Sequence, residues 1–328
     1  MKLPNPRGPI SEHLVDALAR DPYEIEQLVV HDSRDPLTDE DLQLALFIAY
    51  ELHYRGWDGV DERWEWEPSL LRLRAALEGP FEAALRELAG AVPTVEPAEV
   101  PHALSGVVAA DDGPSLAKHL QTGSSVAEFR EFMMHRAVYH LREADPHSFA
   151  IPRLSGRAKA ALVEIQADEY GQGRYERMHA TLFANTMTAL GLDTTYGAYV
   201  EAAPAITLAT NNTMSLFGLH RRLRGAVAGH LAAFEMTSSL PNRRYGNGLR
   251  RLGFDADATL FFDEHIEADA VHEQIAATDL CGSLCAAEPH LIPDVLFGAT
   301  ACLAVDARWA THLLTAWSAD TTSLRTGP

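Results

Sequence analysis

The stretch "HIEADAVH", residues 265–272, sets His265, Asp269 and His272 at spacings of four and three. On an α-helix at 100° per residue the three side chains fall within an arc of about 60°. Two imidazoles and a carboxylate on one helix face suit metal ligation, and burying them is costly unless coordination or hydrogen bonds compensate. The motif therefore calls for partners on other elements.

Three other stretches offer them. Glu169 lies in "ADEYGQG" and His179 follows ten residues on; a continuous helix would hold them about 80° apart. Glu235 interrupts the otherwise apolar "HLAAFEMTSS", where an isolated carboxylate needs a cation. Glu143 closes the preceding helical pattern. Helical bundles assemble dinuclear carboxylate sites from such inward-facing groups, and mixed imidazole and carboxylate donors suit iron or manganese better than calcium or thiolate zinc. A second ligand choice stands beside this one. "ERMH" and "DAVH" give Glu176-x-x-His179 and Asp269-x-x-His272, close to the paired Glu-x-x-His of ferritin-like bundles. That set needs Glu176 and leaves His265 idle, and it points to a non-catalytic iron-binding bundle.

The elements that must carry these residues are helices. Apolar residues recur at helical spacing over 38–57, 125–145, 156–192, 212–240, 256–281 and 293–317, and alternating strand patterns are nearly lacking. Residues 68–92 read as two helices parted at Gly79-Pro80, a breaker pair. Residues 93–115 are rich in proline and small residues and read as a boundary. The expected organisation is all-α: a helical N-terminal region, 1–110, suited to dimerisation, then a helical bundle domain, 115–328. The arginine-rich "RRYGNGLRR" (243–251) reads as a turn in a solvated loop, with substrate-carboxylate binding as its functional alternative. Asp168 and Glu164 are expected to face solvent or to support the site indirectly, and His230 to be a core histidine or a partner of a ligand.

The chain has 328 residues and a formal net charge of −19. That field repels phosphate backbones and anionic bilayers, so neither nucleic acid nor membrane is an expected partner. The N-terminus has no apolar signal-like run, and three cysteines make no disulfide framework. A cytoplasmic location is expected.

With this ligand order, residues 115–320 resemble the haem-oxygenase-like di-iron oxidases and oxygenases, the iron-containing redox enzyme family. The resemblance lies nearest the N-oxygenating branch, typified by the central domain of the streptozotocin-pathway N-hydroxylase. It implies a haem-oxygenase-like helical bundle and a ligand set of Glu169, His179, Glu235, His265, Asp269 and His272, with Glu143 as an additional carboxylate. It also implies two iron ions cycling between Fe(II) and Fe(III), O2 as co-substrate and an external electron donor, a reductase or a chemical reductant. The implied activity is oxidation of an amine, guanidine or amino-acid-like substrate to a hydroxylamine, nitroso or nitro product in specialised metabolism. Oxidative C–C cleavage or decarboxylation is the alternative within the same family. A homodimer is expected.

Overall fold

The computed structural model describes residues 1–28 and 33–325, without the side chains of residues 267–270. Asp269 is among the latter, so its side chain lies outside the described residues. The N-terminal region carries α1 (Pro9–Leu18), α2 (Glu40–Glu51), α3 (Pro68–Ala89) and α4 (Val100–Ala109). The remainder carries α5 (Leu116–Thr122), α6 (Val126–His140), α7 (Asp145–Ser148), α8 (Gly156–Glu169), α9 (His179–Ala189), α10 (Ala205–Leu219), α11 (Arg224–Arg251), α12 (Ala256–Gln274), α13 (Ser283–Ala287) and α14 (Ile292–Ser318). No strand occurs among the described residues, as the all-α reading expects.

Helix starts follow local chemistry. Asp39 accepts from the backbone N–H of Asp41 and Leu42 to open α2. Ser125 and Glu128 form a reciprocal capping box on α6, and Asp255 accepts from Ala258 N to open α12; each satisfies donors that a helix end otherwise leaves unpaired. The long α11 packs against α14 on one side and α12 on the other. Glycines set the first contact. A Cβ on Gly229 would stand 1.8 Å from the Val295 carbonyl oxygen, and one on Gly298 would stand 2.0 Å from that of Ala226. The two backbones approach closely because neither residue has a side chain. α14 is long and apolar enough by composition to cross a membrane, but 61% of its apolar window is buried inside the protein, as befits a core helix.

Four sequence expectations change. Residues 68–89 form a single helix that runs through Pro80. Gly79 has no Cβ to clash with the proline ring, and the buried stripe Leu70, Leu73, Leu77, Phe81 and Leu85 holds the helix together. The proline-rich 93–115 segment contains α4, anchored by buried Val100 and Leu104. The pattern over 212–240 divides at His220–Leu223 into α10 and α11. Finally, "RRYGNGLRR" is the last turns of α11. Gly248 sits where a Cβ would meet the Leu120 carbonyl oxygen at 2.4 Å, so its role is close approach to α5. Arg251 ties down the Gln121 and Ser124 carbonyls, and Arg250 pairs with Asp263.

The N-terminal helices share the apolar core with the bundle. Polar contacts fasten them too: Asn212 Nδ2 donates to Gln43 O and Oε1, each at 2.8 Å, and buried Arg142 stands 3.3 Å from buried Glu51.

Candidate metal centre

Four helices, α8, α9, α11 and α12, and the turn after α6 converge on the site, and the route of the chain between α8 and α9 matters most. Residues 156–192 do not form one helix: α8 ends at Glu169, and Gly171 (φ +60°) and Gln172 (φ 53°) turn the chain back before α9 starts at His179. A Cβ on Gly171 would meet the Arg177–Met178 peptide at 2.6 Å, so the reversal requires glycine there. The consequence is that His179 Nδ1 lies 3.0 Å from Glu169 Oε2. The expected pair is adjacent, but through a tight reversal and not through helical periodicity.

Two groups of potential ligands result. Glu143, Glu169, His179 and His265 form one; Glu169, Glu235 and His272 form the other; within each, one donor atom per residue lies within 4.8 Å of the rest. All of these residues are buried. Glu169 belongs to both groups. His265 and His272 therefore do not aim at one spot, as the helical arc suggested. Seven residues along α12 separate them by a rise of about 10 Å, and each serves a different group. The backbone of Asp269 lies between them on α12. Glu176 is exposed in the reversal and joins neither group, so His265 and not Glu176 stands among the clustered donors.

The hydrogen bonds orient the imidazoles. His265 Nδ1 lies 2.7 Å from the Phe261 carbonyl oxygen, which can only accept. Nδ1 therefore carries the proton and Nε2 faces Glu143 Oε1 at 3.8 Å. His272 has the opposite arrangement, with Nε2 donating to Asp168 Oδ2 at 3.0 Å and Nδ1 turned to Glu235 Oε2 at 3.3 Å. An imidazole whose outer N–H is held by an oxygen presents its other nitrogen as a fixed donor to a metal. Asp168, expected to face solvent or help indirectly, does the latter.

Electrostatics follow from this crowding. Burial pushes the Glu169 carboxyl up, but the imidazoles of His179, His265 and His272 overcome it and bring it down to about 2. Burial raises the Glu235 carboxyl, and the neighbouring Glu169 carboxylate adds to the rise. Burial takes His265 down to about 4, with His179 adding to the effect. His272 resists burial because Glu235 and Asp168 hold its proton, and it rises to about 9. Converging buried carboxylates and imidazoles, with tautomers fixed from outside, fit a cationic metal. The oxygen and nitrogen donor set suits iron.

Glu143 depends on a strained turn. Ala144, next in the chain, has φ 72°, a left-handed conformation costly for a residue with a Cβ. Gln166 Nε2 donates to its carbonyl at 2.8 Å, and its N–H reaches the Tyr139 hydroxyl at 3.3 Å. One turn back on α6, His140 Nε2 lies 3.5 Å from Glu143 Oε1. A second buried pair, His147 Nε2 and His230 Nδ1, stands 3.2 Å apart behind the site, which makes His230 a core histidine with an imidazole partner.

A cavity of about 160 Å³ opens beside the Glu143 group. Phe183, Phe234, Phe261 and Phe262 supply apolar walls, and Arg136, Asn242 and Asp306 supply polar ones. Pro241 on α11 has no N–H to return to the Thr237 carbonyl, and Thr237, Ser238 and Pro241 all line the cavity. Sequence reading missed Arg136, His140, Asp306 and His147. A signal existed for the first two, because 136, 140 and 143 follow i, i+4, i+7 spacing toward Glu143.

A family model described as "Iron-containing redox enzyme" (haem-oxygenase type) matches residues 130–307, more than half of the chain. The chain belongs to the iron-containing redox enzyme family. It is an oxidoreductase of haem-oxygenase-like fold. A similar protein is the nitrosourea synthase of Streptomyces achromogenes subsp. streptozoticus, 28% identical over 172 residues, 52% of this chain and 36% of that protein. This family member thus spans little more than a third of that relative's length. Two crystal structures of a CADD-like protein of unknown function from Nostoc punctiforme share the fold. One has a TM-score of 0.53 at 18% identity over 66% of this chain and 96% of that one; the other has 0.52 at 16% over 68% and 97%.

Proposed function

We propose that the protein is an O2-activating non-haem di-iron N-oxygenase, oxidising an amine, guanidine or amino-acid-like substrate to a hydroxylamine, nitroso or nitro product. One observation carries the two-iron reading: Glu169 is common to two groups of buried donors, as a bridging carboxylate between two ions would be. In this reading Glu143, His179 and His265 would hold one ion and Glu235 and His272 the other, with Glu169 shared and Asp269 as a further ligand on α12. The exposure of Glu176 speaks against the ferritin-like ligand choice. Similarity to a nitrosourea synthase supports a nitrogen-containing substrate.

Two ferrous ions held by these residues would supply the O2 chemistry that organic side chains cannot perform. In the first oxidation one oxygen atom converts N–H to N–OH. The other leaves as water, with two electrons and two protons from an external donor such as a reductase. The protein's part is to fix the ligands through Asp168 and the Phe261 carbonyl and to keep bulk water from the aromatic cavity. It also places the substrate beside the Glu143 group. A cytoplasmic homodimer, joined through residues 1–110, completes the proposal.

The test loads metal-free protein anaerobically with two equivalents of Fe(II), mixes it with oxygenated buffer and follows visible absorbance in stopped flow. An O2-dependent transient that is lost in His265→Ala and kept in Glu176→Ala is expected. No transient, or one that requires Glu176 and ignores His265, overturns the assignment.

A further inference from the structure

The cavity beside the candidate metal centre has a charged end that the proposed ligand set does not use. Arg136 lies on α6, seven residues before Glu143, and Asp306 lies on α14; both line the cavity. They are joined by one contact, Arg136 Nη2 to Asp306 Oδ1 at 3.0 Å. The guanidinium stacks over the Trp309 ring, 4.1 Å from its centroid, with Phe132 alongside at 6.0 Å. The Tyr245 phenol is a second polar partner of the guanidinium.

This pair is far more open than the sealed pair beside the N-terminal helices. Arg142 and Glu51 have 1% and 0% of their side chains exposed, whereas 21% of Arg136 and 41% of Asp306 remain accessible. One contact to Asp306 and one to Tyr245 leave further N–H groups of the five on a guanidinium, and the second carboxylate oxygen, for a ligand. A guanidinium is a forked donor that matches a carboxylate, and an adjacent carboxylate suits an ammonium. The volume, about 160 Å³, is close to that of an engineered cavity of ~150 Å³ that holds benzene. It fits a compact molecule of single-amino-acid size.

We propose that Arg136 and Asp306 are the recognition end of this cavity and that the substrate is a zwitterionic amino acid. Its carboxylate meets Arg136, its α-ammonium meets Asp306, and its side chain crosses the aromatic walls toward the Glu143 group. This rests on the oxygenase reading for what happens to the far end, and it deepens that reading by placing the oxidised atom on the side chain. It also separates N-oxygenation from decarboxylation, because a carboxylate held at Arg136 is kept away from the metal ligands.

The test is binding to the metal-free protein, read by isothermal titration calorimetry, with L-lysine and L-arginine against cadaverine and agmatine, their counterparts without the carboxylate. At least one amino acid is expected to bind tenfold or more tightly than its amine. Arg136→Gln is expected to abolish that preference, and Arg136→Lys to restore part of it. Asp306→Asn is expected to weaken the amino acid tenfold and to leave 6-aminohexanoate, which has no α-ammonium, unchanged. Circular dichroism and melting curves establish that each variant is folded; if Arg136→Gln is not, the Asp306→Asn and Arg136→Lys comparisons decide. Equal binding of acid and amine, a preference that survives in a folded Arg136→Gln, or no binding by any of the four compounds overturns the proposal. Because no iron or O2 is present, the result is separate from the stopped-flow test: amino-acid binding without an O2-dependent transient would defeat the oxygenase reading alone.

Discussion

His272 stands between two carboxylates, with Nε2 3.0 Å from Asp168 Oδ2 and Nδ1 3.3 Å from Glu235 Oε2. Asp168 is half-exposed and belongs to neither donor group, so its contribution is to hold the ring and its tautomer. Asp168→Asn is expected to lower metal affinity at the Glu235 group by about 10–100-fold, the usual cost of losing such a partner, with the fold intact. Anaerobic Fe(II) titration followed by calorimetry checks this, and an unchanged affinity would remove Asp168 from the site's support.

The same residue gives the metal-free protein a pH dependence. His272 is held at about 9, above the ordinary histidine value of about 6.5. Folding therefore favours its protonated form. The stabilisation is fully present below pH 6.5 and is lost as pH rises through about 9. A metal bound at Nδ1 must displace that proton, so metal affinity rises with pH up to about 9. His265, brought down to about 4 by burial, is already neutral at pH 7, and its Nε2, which faces Glu143, has no proton to lose. Titrations at pH 7.5 in buffers of different ionisation enthalpy are expected to show a proton released with the ion bound at Glu235 and His272. Proton uptake, or a melting temperature of the metal-free protein that rises from pH 7 to pH 9, would contradict the coupling.

Glu169 is the common member of the two groups, and its removal differs in kind from that of the other ligands. Glu169→Ala is expected to disturb both ions, whereas Glu235→Ala and His265→Ala each leave one. Metal content after anaerobic loading and desalting is the measurement. Retention of two ions by Glu169→Ala would rule out the bridging role.

The sequence made the helices and most of the site legible, for reasons that differ by residue. Glu235 stood out as a carboxylate in an apolar run, and burial against α12 accounts for it. His265 and His272 were legible as one face of α12, but a helical projection discards the rise along the axis, so their division between two groups was hidden. Glu169 and His179 were paired for the wrong reason, because Gly171-Gln172-Gly173 reads equally as a flaw within a helix and as a reversal. Asp168 was legible only as one of two alternatives, solvent or indirect support, because a half-exposed Asp resembles any surface Asp until His272 is seen against it. Arg136 and Asp306 come from helices far apart in sequence and meet only through the packing of α6 on the core. Pro80 and the glycines of α11 read as breakers because local propensity carries no knowledge of the neighbour that tertiary packing brings.

Other glycines lead to a prediction in which one kind of substitution has two signs. Gly229 and Gly298 lie at the crossing of α11 and α14, where an added Cβ would meet carbonyl oxygens at 1.8 and 2.0 Å. The obstacle is backbone and cannot swing aside, so Gly298→Ala and Gly229→Ala force the helices apart. Each is expected to cost about 1–3 kcal/mol, as overpacking does, and to lower the melting temperature. Gly106, inside α4, has open space where a methyl group would stand, with no atom within 4 Å. There Gly→Ala removes backbone freedom from the unfolded chain and is expected to stabilise by up to about 1 kcal/mol. The crossing also sets the distance between α11, which carries Glu235, and α14, which carries Asp306. The Gly298→Ala protein, where it folds, is therefore expected to load less metal at the Glu235 group, and Gly106→Ala to load as the parent does. Thermal melts paired with metal content decide the matter, and a Gly298→Ala protein as stable as Gly106→Ala would mean that the close approach of α11 and α14 is not what fixes their spacing.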